Sequence, residues 1–96
     1  MKTIVRNWAL ITIVDELSPF KVLWAVVVSD NVRNRFKEND YLCSSRILYI
    51  EDNLVRTHTG SCYELIGEGS EYVASYAQLI SLIDGLSPDV LKLEKK

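Results

Sequence analysis

His58 is the only histidine in the 96-residue chain, and with Cys43 and Cys62 it supplies the residue types that a general base and a thiol nucleophile require. Nothing around them completes such a centre. No nucleophile elbow, His-Glu-x-x-His helix or Cys-x-x-Cys pair occurs. Cys43, His58 and Cys62 match no recurring zinc spacing, so no metal site is expected. Gly67-Glu68-Gly69 lacks the third glycine and the lysine of a phosphate loop, and its glutamate would repel phosphate, so no nucleotide cofactor is expected either. A single histidine between Thr57 and Thr59 reads first as a half-exposed strand residue. The two cysteines read as small buried packing residues of a reducing compartment. The pattern weighs against an enzyme.

Recognition chemistry is better represented. Tyr49, Arg56, His58 and Tyr63 combine large contact area with polar tips, the property that makes tyrosine and arginine recur as interface anchors. The competing reading of the same residues is a sheet face packed under a helix. Arg33, Arg35, Lys37, Arg46 and Arg56 could join Tyr41, Tyr49 and Tyr63 in a platform for single-stranded nucleic acid. A net charge of −2, from eleven basic and thirteen acidic side chains, counts against it. So do Asp30, Glu38 and Asp40, which dilute the basic run.

The elements that must position these residues are mostly strands. Trp8–Val14 and Phe20–Ser29 are rich in β-branched and aromatic residues, separated by turn chemistry at Asp15-Glu16-Leu17-Ser18-Pro19. Asp30–Asp40 is a polar connection in which Val32 and Phe36 allow a short helical turn. Ile47–Glu51 and Leu54–Thr57 flank Asp52-Asn53, and Thr59 and Cys62 flank Gly60-Ser61, which predicts two tight hairpins and a meander. In that register Glu51 opposes Leu54, Arg56 opposes Leu65 and His58 opposes Tyr63. Tyr49, Arg56, His58 and Tyr63 then share one face, while Cys62 lies on the other with Leu48, Ile50, Val55, Thr57 and Ile66. Cys43 falls on the first face if the strand is regular towards its start, which argues against a disulfide. A bulge before Ile47 would reverse that placement.

Ser70 is a plausible N-cap, with Glu71 in the first turn of a helix running to about Asp84, Gly85 as its left-handed cap and Pro88 as its stop. Tyr72, Tyr76, Leu79, Ile80 and Ile83 form its apolar stripe, and Val73, Ala77 and Leu82 widen it. Leu86, Val90, Leu91 and Leu93 could add a final strand or turn. The expected fold is a single domain over residues 1–96 of the α+β class. It is a strongly curved antiparallel meander or partly open barrel of about five to six strands with one C-terminal helix.

Val22–Val28 is apolar at both parities, so this strand should be dry on both faces. One helix shelters one face of an open sheet. A second subunit or closure into a barrel must shelter the other, and the two-fold dimer is the commonest assembly. The same run is too short to cross a membrane, and Arg6-Asn7 interrupt any signal-peptide core, so a cytoplasmic protein is expected.

Asp40-Tyr-Leu-Cys-Ser-Ser-Arg-Ile47, Val55-Arg-Thr-His-Thr-Gly-Ser-Cys-Tyr-Glu-Leu-Ile-Gly67 and Gly85-Leu-Ser-Pro88 together resemble small proteins carried on bacterial gene cassettes and prophages. The resemblance carries over no catalytic residue. It implies an accessory, binding or inhibitory role in a bacterial cytoplasm. The sequence therefore leads to a non-enzymatic protein–protein interaction module, probed first as a homodimer that also binds another protein. A small-ligand binder or enzyme with His58 and Cys43 in a sheet–helix pocket, and a single-stranded nucleic-acid binder, are the alternatives.

Overall fold

The computed structural model describes residues 2–14, 17–30 and 36–96. Arg33, Arg35 and most of the polar connection lie outside them. Strands β1 (Thr3–Ile13), β2 (Phe20–Asp30), β3 (Tyr41–Cys43), β4 (Ile47–Glu51), β5 (Leu54–Thr57), β6 (Cys62–Leu65), β7 (Ser70–Ala74) and β8 (Glu94–Lys95) combine with helices α1 (Tyr76–Ile83) and α2 (Pro88–Leu91). The chain is α+β, with an open sheet in the order β3-β2-β1-β6-β5-β4, to which β7 and β8 attach through β1.

The sheet is mixed rather than purely antiparallel. β1 is antiparallel to β2 but parallel to β6 through Thr3–Val5 and to β7 through Ala9–Ile13. Chain parity explains this. Ser44 bonds Leu23 of β2, while the Arg46 carbonyl accepts from the His58 amide just beyond β5, so Tyr41–Glu51 is one bent pass serving both ends of the strand order. The meander therefore makes an odd number of passes, and its last strand runs in the direction of its first. The strand count exceeds expectation because this pass is split into β3 and β4, because β7 takes the first turn of the expected helix, and because the final strand, β8, forms at Glu94–Lys95 rather than within Leu86–Leu93.

β2 is dry on both faces within one protomer, with Val22 to Val27 all buried. Val22, Trp24 and Val26 pack with Ile11, Ile13, Ala74, Leu79, Leu82 and Leu93 under the helical layer. Leu23, Ala25 and Val27 pack with Val5, Leu42, Val55, Tyr63 and Leu65. Curling the meander over the second face shelters it within one chain, the alternative to a second subunit.

β1 changes its alternation on the way. Val5 faces the meander side, yet Ala9, Ile11 and Ile13 face the helix side. A bulge between Arg6 and Ala9, with Asn7 at φ 50°, inserts the extra residue that exchanges the faces. Opposite it, Ile66–Gly69 loops out between β6 and β7, so these two strands are halves of one interrupted pass along β1.

The helix starts later than its apolar periodicity indicates. Ser70–Ala74 is strand, because Ala9–Ile13 of β1 offers it a ladder and Tyr72-Val73 suits a pleated surface. Ser75 is the N-cap: its Oγ accepts from the Gln78 amide at 3.1 Å, and Gln78 Oε1 accepts from the Ser75 amide at 2.8 Å. Gly85 takes φ 105°, as a left-handed position after the helix requires. Ser87 caps α2, and Leu93 closes the core below it. Ser75→Ala should lower stability by about 1 kcal/mol, read as an earlier urea midpoint with an unchanged slope.

Candidate functional site

The four residues singled out for recognition do not share a face. β5 and β6 pair with Val55 opposite Tyr63 and Arg56 opposite Cys62, not opposite Leu65. The Gly60-Ser61 pair lies in a longer loop, in which the Gly60 amide donates to the Thr57 carbonyl and the Thr57 amide to the Ser61 carbonyl. The Ser45 hydroxyl reaches Thr59 Oγ1 at 3.0 Å and fixes that loop. This odd shift in register turns Tyr63 inward, where it is 4 % exposed and packed with Val55 and Leu65. Arg56 stays on the outer face and His58 is exposed in the loop.

Tyr49 and Arg56 are paired as expected, beyond a turn at Asp52-Asn53 that sets Glu51 opposite Leu54. A bulge between Ile47 and Tyr49 places Leu48 and Tyr49 consecutively on the outer face, and both are more than half exposed. β4 ends the strand order, so its far edge is unpaired among the described residues. A groove of about 400 Å³ separates it from Pro19, Phe20 and Lys21, and among the described residues its charged lining groups are Lys21 and Arg46. Tyr49 lies on this edge strand with Arg56 opposite it on β5, whereas Tyr63 is core.

His58 is exposed, whereas Cys43 is half-buried and Cys62 buried. Both cysteines are free. Cys43 packs against the helix-side core, and burial pushes its thiol up to about 11, so it carries no thiolate at neutral pH. Cys62 is buried on the outer face of β6, beside the ion pair between Lys2 and Glu64. Hydrogen bonding and charge from Glu64 hold the Lys2 ammonium above its ordinary pKa. Among the described residues, no three His, Cys, Asp or Glu side chains converge as a metal site, and no helix is long and apolar enough to cross a membrane.

Two further surfaces emerge only in three dimensions. Helix α1 buries Leu79 and Leu82 and leaves Tyr76, Ile80 and Ile83 exposed on its other side. Trp8, Trp24, Tyr41 and Tyr72 line a groove of about 550 Å³ where the helical layer ends. The eight residues of α1 span about 12 Å, whereas the eleven of β2 span roughly 35 Å, so the helix leaves part of its sheet face open. The aromatic residues come from four different strands, and no local pattern joins them. The chain matches no family model, no curated protein and no solved structure.

Proposed function

We propose that the protein is a non-enzymatic interaction module that works as a homodimer, an accessory protein of the kind borne by bacterial mobile elements. The observation that carries this reading is the outward stripe of α1. Tyr76, Ile80 and Ile83 lie at i, i+4 and i+7, each about half exposed or more, and the helix contains no charged residue. Leu86 and Val90 extend the apolar surface beyond it. An uncharged ridge of this spacing is self-complementary: two copies crossing about a two-fold axis bring no like charges together and bury the same side chains reciprocally. The excess apolar surface that argues for association thus lies on the helix, since β2 is already covered.

The free edge of β4 supports a second mode, strand addition by a partner protein. Lys21 and Arg46 would favour an extended apolar segment carrying carboxylates. Sedimentation velocity separates the two. Wild-type protein is expected to sediment as a dimer, and Ile80→Glu with Ile83→Glu as a monomer with unchanged far-UV circular dichroism. Leu48→Glu should leave the dimer intact. A wild-type monomer at all concentrations rejects the homodimer, and dissociation by Leu48→Glu alone transfers the interface to β4.

A further inference from the structure

Trp8 and Trp24 are the only tryptophans in the chain, and both line the groove at the end of the helical layer. Trp8 stands at the bulge of β1, its Nε1 donating to the Gly67 carbonyl at 3.1 Å. Its indole lies so close to Gly69 that a Cβ there would clash with the ring, so glycine is what lets this wall form. Trp24 and Tyr41 form a second wall, with ring centroids 5.3 Å apart and planes inclined at 39°. Tyr72 of β7 also lines the groove; it packs with Trp24 in the helix-side core, whereas Trp8 packs against the meander-side core at the groove's other border.

The charged groups of the groove among the described residues have one sign. Glu68 and Asp89 line it, and no described lysine, arginine or histidine does. Arg6 pairs with Val26 across the ladder but its guanidinium is turned to Asn39 Oδ1, at 2.6 Å. Trp24 is more than nine-tenths buried, and its Nε1 has no hydrogen-bond partner among the described residues, although orphaned buried donors are costly.

We propose that this groove binds an organic ammonium cation. Aromatic faces attract a cation through their negative π-clouds, and they desolvate a substituted ammonium at little cost because its alkyl groups are themselves apolar. Glu68 and Asp89 add long-range attraction and discriminate against anions and neutral isosteres of the same shape. Trp24 Nε1 is available to a hydroxyl or carbonyl carried by the same ligand. The cation could be a free small molecule or the methylated lysine side chain of another protein; the recognition chemistry is shared.

Since both tryptophans line the site, intrinsic fluorescence reports it directly. Choline, a trimethyllysine peptide and its unmodified counterpart are the probes, with 3,3-dimethylbutan-1-ol as the neutral isostere of choline. A saturable change of tryptophan emission is expected with choline or the trimethyllysine peptide, and the tighter of the two identifies the source. Affinity should fall about tenfold in Tyr41→Ala and in the Glu68→Gln, Asp89→Asn pair, all at exposed positions whose replacement leaves the core intact. No saturable change with either cation overturns the proposal, as does equal binding of the neutral isostere. Because α1 is not in this groove, the result is independent of whether the Ile80→Glu and Ile83→Glu variant dissociates.

Discussion

Leu23→Ala is expected to cost about 3–5 kcal/mol, enough to unfold much of the population near room temperature, with a loss relative to wild type that is the same at every protein concentration. Leu23 is completely buried in the meander-side core, where its neighbours Val5, Ala25, Val27, Val55 and Leu65 belong to the same chain. Truncation removes transfer free energy and leaves a cavity that a bent sheet closes poorly. Val22→Ala, on the opposite face of the same strand, should cost about 1–3 kcal/mol, the smaller deletion giving the smaller loss. Urea titrations of both variants at two well-separated concentrations provide the check. If only one parity were sensitive, or if the loss at Leu23 shrank as concentration rose, the second face of β2 would be sheltered by another subunit rather than by the curled meander.

Tyr63→Ala should lose about 3–5 kcal/mol, whereas Arg56→Ala and His58→Ala should stay within roughly 0.5 kcal/mol of wild type. These residues would behave alike if they shared one solvent-facing surface. Pairing Val55 with Tyr63 makes Tyr63 a core residue, while Arg56 stays outside next to Tyr49 and His58 sits in the loop. Thermal melts of the three variants read the register of β5 against β6 directly. A mild effect at Tyr63 together with a severe one at Arg56 would restore the pairing of Arg56 with Leu65 that the Gly60-Ser61 dipeptide suggests.

That dipeptide shows where the sequence was ambiguous. Gly60 at φ 89° serves a four-residue loop as well as a two-residue one, and the choice rests on Ser45 and Thr59, which meet only after the bent pass has formed. The hairpin at Asp52-Asn53 was legible because both flanking strands are regular up to the turn. The double dryness of β2 was legible for a similar reason: seven consecutive apolar residues, Val22–Val28, leave no wet parity, and the first six are buried. Tyr72 and Val73 fit a helical stripe and a strand equally, so periodicity extended the helix too far. The signal that separates them is the Ser75-x-x-Gln78 pair, a capping box that starts the helix at Ser75 rather than Ser70. Of the proposed recognition residues, Tyr49 and Arg56 lie beside the free edge of β4. The aromatic groove was invisible, since its rings are brought together by pairings of β1 with β2 and β7, and of β2 with β3.

The parallel alliances of β1 also govern the order in which the chain can become a folded object. Its partners β6 and β7 lie some sixty residues downstream of it. During synthesis the β1–β2 hairpin emerges with two greasy surfaces, and neither the meander nor the helix yet exists to cover them. Such a nascent hairpin is adhesive until β6, β7 and the helices have left the ribosome, so their emergence, rather than hairpin closure, sets the moment at which this domain becomes safe from aggregation.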